Sequence, residues 1–168
     1  MSTHRERGKI IAVLAIFLFL MPMLSFAEET GTQSLSLPSP EELQRYQLRY
    51  EALGETFTTR LLRSSTPKLE FDMLVTVNKG LLMADADLSA LVGYLLLADM
   101  VTEKQLVQKA RDFVRSQYGV IKRKREINIE YIERTLQASG EQETTKLLLE
   151  ARDLHRSVAD FLGRIDNK

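Results

Sequence analysis

The sequence predicts an all-α protein, an antiparallel up-down four-helix bundle with a long central helix 2–helix 3 hairpin projecting beyond the outer helices. Three observations carry that prediction. Leu74, Val77, Leu81, Ala84, Leu88, Leu91, Leu95 and Ala98 alternate at spacings of three and four without a slip, the coiled-coil pattern of a helix packed lengthwise on other helices. Start and stop signals divide residues 39–168 into four helical segments with very short turns between them, which makes sequential neighbours antiparallel. No strand alternation, hairpin dipeptide or solenoid repeat interrupts them.

Helix 1 begins at Ser39-Pro40-Glu41-Glu42. The serine is an N-cap, proline suits the first helical position, and the acids complement the dipole. Leu43, Tyr46, Tyr50, Leu53, Phe57 and Leu61 form its apolar face, and it stops near Ser64-Ser65-Thr66 ahead of Pro67. Helix 2 restarts at Pro67 with Thr66 as cap and runs to about Asp99. Asp85-Ala86-Asp87 offers a capping site inside it, but the seam keeps register there, so one continuous helix is expected.

Helix 3 starts at the capping box Thr102-Glu103-Lys104-Gln105. Leu106, Ala110, Phe113, Val114 and Ile121 point inward, then Ile127, Tyr131, Ile132 and Leu136, with a polar break at Gln117, Lys122 to Glu126 and Asn128 between them. Ser139-Gly140 ends it. Helix 4 covers Glu141 to about Gly163, with Leu147, Ala151, Leu154, Val158, Phe161 and Ile165 as its seam. The outer helices come out shorter than the central pair, so the hairpin should outrun them by roughly 10 to 15 Å at 1.5 Å per residue.

Ahead of the bundle stands a three-part secretory signal. Arg5, Arg7 and Lys9 precede the apolar run Ile10 to Leu24, and Ser25-Phe26-Ala27 places small residues at the cleavage positions. We expect residues 1–27 to be a signal peptide cleaved after Ala27, residues 28–38 a flexible lead-in, and residues 39–168 the bundle domain. No cysteine is present, which excludes a lipoprotein anchor at the cleavage site. Glycosylation sequons are lacking as well, favouring a bacterial periplasmic or extracellular setting. Removing residues 1–27 takes away three basic and one acidic residue, leaving 20 against 22, or −2. Such a balance gives no general field for gathering nucleic acid, and membrane contact is possible but not indicated.

The residues carry no catalytic constellation. Glu126, Glu130 and Glu133, and Asp85 with Asp87, read as solvated helix faces; no histidine, phosphate loop or nucleophile motif joins them. No enzyme, cofactor or metal is therefore expected. His155 is the one histidine beyond the signal and reads as a surface or boundary residue, with no Glu-x-x-His pair beside it. Met73, Met83 and Met100 could offer a thioether to a haem, but read as core filling. The run Lys122 to Arg125 reads as a solvated face; with Arg111 and Arg115 it could also form a basic stripe for an acidic partner or lipid headgroup.

The hairpin end remains. Leu91-Val92-Gly93-Tyr94-Leu95-Leu96-Leu97-Ala98 is apolar on every side and needs enclosure, by the chain itself or by a partner. Tyr94, Leu97, Met100 and Val101 are the outward candidates. The expected function is an exported interaction protein, a scaffold, adaptor or chaperone-like holder, binding a protein partner or itself through this end. The alternative is a bundle that holds a small apolar or haem-like ligand between its helices.

Overall fold

A computed structural model describes residues 37–63 and 68–166. The expected signal peptide, most of the lead-in and the expected helix boundary at Ser64 to Pro67 lie outside the described residues. Four helices follow one another: α1 Pro40–Arg63, α2 Lys68–Met100, α3 Lys104–Ala138 and α4 Gln142–Asp166. Their lengths of 24, 33, 35 and 25 residues reproduce the short-long-long-short pattern. Among the described residues there is no strand.

The local causes are mostly those read from the sequence. Ser39 Oγ accepts the Glu42 N–H at 3.2 Å, satisfying one of the orphan donors at the start of α1. α2 runs through Asp85-Ala86-Asp87 without a break, and all eight residues of its seam are buried. The start of α3 differs from expectation. Glu103 is its N-cap and makes no side-chain cap bond, because the first turn closes on the Glu103 carbonyl, which accepts from the N–H groups of Leu106 and Val107. Thr102 is thereby one residue too early to cap.

Contacts fix the up-down-up-down topology. Asn78 donates to Thr58 Oγ1 at 3.0 Å between α2 and α1. Tyr94 meets Phe113 edge-on between α2 and α3, with centroids 5.1 Å apart, and Arg156 on α4 reaches Glu133 on α3. The ring closes more loosely where α1 passes α4: Tyr46 packs on Phe161, and Arg60 bonds Glu141 and Glu143. α1 packs chiefly on α2 and α4 on α3, and α2 joins the two pairs along α3.

The projection of the hairpin is uneven. Lys122 lies against Gly163, with Nζ 3.3 Å from where a Cβ would stand, so α4 ends about level with this part of α3. From Lys104 to that level, roughly 20 Å at 1.5 Å per residue, α3 packs on α2 without α4 beside it. On the other side Gly54 of α1 faces Leu82. Counting back along α1 brings Pro40 level with about Leu96, so α2 outruns α1 by only about a turn. By length and composition α2 over Glu70–Met100 could cross a membrane; its inward seam is buried within the bundle.

Candidate functional site

Two features stand apart from an ordinary leucine core: the free end of the hairpin and a polar layer in the middle of the bundle. At the free end, Leu91, Val92, Leu95 and Ala98 are buried. Met100 is 76% exposed and Leu96 50%. Leu97 and Val101 are half-buried, and Tyr94 is half-buried against Phe113. Of the four outward candidates, Met100 thus stands fully in solvent, two share its turn half-covered, and Tyr94 helps hold the hairpin together. Met83 is 49% exposed; neither it nor Met100 is the core filling expected, because both fall outside the seam. Exposed apolar side chains are numerous along α2, with Phe71, Val75 and Leu82 among them.

The polar layer takes one side chain from each helix. Asp87 on α2 accepts hydrogen bonds from Arg125 and Lys124 on α3, each at 2.7 Å. The Arg125 guanidinium lies 5.8 Å from the centre of the Tyr50 ring on α1, within cation–π range. Tyr50 Oη and His155 Nδ1 on α4 are 2.9 Å apart. Arg125 is 1% exposed and Tyr50 and His155 are fully buried, so these groups answer to one another and not to solvent. Burial, and secondarily the Arg125 cation, push the His155 imidazole down to about 3, and burial lifts the Tyr50 phenol well above its usual range. The imidazole is held neutral, and its Nδ1 and the Tyr50 hydroxyl share one hydrogen bond. Among the described residues His155 Nε2 has no hydrogen-bond partner, nor do Arg125 Nε and Nη1.

This layer corrects two expectations. His155 is a core residue, not a surface one, and Arg125 is buried, not part of a solvated face. The cause is a seam made partly of polar residues. On α3 the inward positions run Val114, Tyr118, Ile121, Arg125, Asn128, Ile132 and Thr135 at spacings of three and four, all but half-buried Asn128 being buried. On α4 they run Thr144, Leu148, Ala151, His155, Val158 and Leu162, one position round from the expected face, which leaves Leu147, Phe161 and Ile165 half-buried. Ile127, expected inward, is exposed. Reading heptad spacing without regard to polarity would have found both seams. Asn128 also explains Gly80: a Cβ there would stand 3.2 Å from Asn128 Nδ2.

Beside the end of α4, an open groove passes Tyr46, Lys122, Asp160, Gly163 and Arg164, its charges of both signs. Among the described residues no group of three or more acidic or histidine side chains is placed to hold a metal ion. In comparison with known proteins, the chain matches no family model, no curated protein and no solved structure.

Proposed function

We propose that the chain is an exported helical-bundle interaction protein, a scaffold, adaptor or chaperone-like holder, which engages a protein partner or a second copy of itself through the free end of the α2–α3 hairpin. The observation that carries this reading is Met100: a large, flexible apolar side chain 76% exposed, on the turn where two helices outrun their neighbours. Exposed apolar surface of this kind gains most from burial against a partner, and methionine adapts its shape to what it meets. The ligand-holding alternative has less support, since the core level around His155 is filled by Tyr50 and Arg125.

The test uses residues 28–168, which contain the whole described bundle. Met100→Glu and Leu97→Glu should leave the helical circular dichroism unchanged while weakening self-association or partner capture at least tenfold, about 1.4 kcal/mol or more. Sedimentation and pull-down behaviour identical to the parent in both variants would refute the proposal.

A further inference from the structure

The solvent side of α2 is nearly free of charge. α4 exposes Lys146, Glu150, Asp153, Arg156 and Asp160, as the outer side of a bundle helix usually does. α2 turns its seam inward and leaves Val75, Leu82, Met83 and Leu96 exposed, with Ala86, Ser89 and Ala90 between them. Lys79 is the one exposed charge from Val75 to Leu96. The two acids of that stretch do not reach this side: Asp85 and Asp87 are half-buried, and Asp87 is held by Lys124 and Arg125.

Side-chain size along this face follows an order. Val75, Leu82 and Met83 are large, Ala86, Ser89, Ala90 and Gly93 are small, and Leu96 and Leu97 are large again. Among the described residues nothing comes within 4 Å of a Cβ built on Gly93. The small stretch is thus an open, shallow trough about 10 Å long at 1.5 Å per residue. A two-fold axis through Ala86 brings together residues equally far before and after it. Leu82 then meets Ala90, Met83 meets Ser89, and Val75 meets Leu97, so the large residues of one copy enter the trough of the other. Lys79 falls opposite Gly93, over which its stem passes to carry the ammonium to water. A parallel pair would instead set Leu82 on Leu82 and trough on trough, leaving a void that close packing disfavours.

We infer that this face is a two-fold interface between two copies of the chain, the α2 helices running antiparallel and crossing at Ala86. A surface that supplies both the knobs and the trough is complementary to itself, as a two-fold contact requires. The inference goes beyond the proposed function, which places the working contact at the hairpin end, and does not rest on it. The balance of −2 over residues 28–168 sets little repulsion between copies. A strip about 42 Å long and one helix, about 11 Å, wide buries roughly 900 Å² over both copies. That is the size of a reversible contact, with a dissociation constant on the order of 10 μM.

The experiment is sedimentation equilibrium of residues 28–168, with far-ultraviolet circular dichroism to show that each variant keeps its helices. We expect a reversible monomer–dimer equilibrium. Ser89→Leu with Ala90→Leu makes the face more apolar but fills the trough, and should weaken the dimer at least about tenfold. The chain has no cysteine, so single introduced thiols map the pairing. Ala86→Cys should link to itself under mild oxidation, whereas Met100→Cys should not, its two copies lying about 42 Å apart. A monomer at every concentration overturns the inference, and one that binds phosphatidylcholine vesicles assigns the face to lipid instead. A leucine variant that associates as well as the parent overturns it too. So does self-linking at Met100 without self-linking at Ala86, which is the pattern of contact by hairpin ends and would leave the proposed function standing.

Discussion

Removing the carboxylate of Asp87 should damage this protein far more than removing the guanidinium it holds. The Arg125 side chain is 1% exposed, and Asp87 is the carboxylate that neutralises it. Asp87→Ala leaves a buried cation without its counter-charge, a loss worth about 3 to 5 kcal/mol in a fully buried pair. Because the Asp87 side chain is 17% exposed, we place the expected cost at about 3 kcal/mol. Arg125→Met is different, since Asp87 keeps the Lys124 ammonium at 2.7 Å and its own access to water; about 1 kcal/mol or less is expected. Asp87→Leu combined with Arg125→Met should return close to the parent, because a well-packed apolar replacement of a buried pair is often neutral. Urea unfolding followed by far-ultraviolet circular dichroism reads all three, with about 3 kcal/mol moving the midpoint by about 1.5 M at a slope of about 2 kcal/mol per M. An Asp87→Ala cost below about 1 kcal/mol, or one equal to that of Arg125→Met, would refute the description of this layer as a desolvated ion pair.

Two further outcomes follow from other parts of the bundle. His155 is held neutral in the fold, its ionisation pushed down to about 3 from 6.5, so it contributes stability that is fully present above pH 6.5 and lost as the unfolded imidazole protonates below it. Between pH 7 and pH 5 the parent should lose about 2 kcal/mol relative to His155→Gln, and parallel stability profiles for the two proteins would contradict this. Gly93 and Gly119 lie inside helices, and among the described residues nothing comes within 4 Å of a would-be Cβ. Alanine at either site should therefore add up to about 1 kcal/mol and raise the melting temperature by about 3 °C, whereas Gly80→Ala should gain less because Asn128 must move.

What the sequence disclosed, and what it hid, divides by the kind of residue at the seam. The α2 seam was legible at every position, because Leu74 to Ala98 are apolar and their spacing admits one face. The start of the first helix was legible because Ser39-Pro40 punctuates the chain through backbone chemistry that acts locally, and the third helix does end at Ser139, though on an extended residue and without a left-handed Gly140. Arg125 and His155 were hidden because their burial is a tertiary fact: each is tolerated in the core only by groups on other helices, from Asp87 to Tyr50. The phase of α4 slipped in part for the same reason: Ala151, Leu154 and Val158 are core as expected, but His155 in the inward row made Leu147, Phe161 and Ile165 look inward as well. The extent of the overhang was only half legible. Helix lengths give a difference in span, but the stagger that lets α1 cover more of the hairpin than α4 does depends on contacts such as Lys122 with Gly163.

The layer of Tyr50, Asp87, Arg125 and His155 also bears on how many ways this chain can assemble. Helices sealed by leucine alone can slide past one another by a heptad, about 10 Å, and still find leucine opposite leucine. Here a slide of that size at any one helix would set a guanidinium or an imidazole against aliphatic side chains and leave a carboxylate alone. The interior therefore works as an alignment key: it adds little to the depth of the native minimum but raises the neighbouring minima, so that a long hairpin with a uniform seam has a single place to stop.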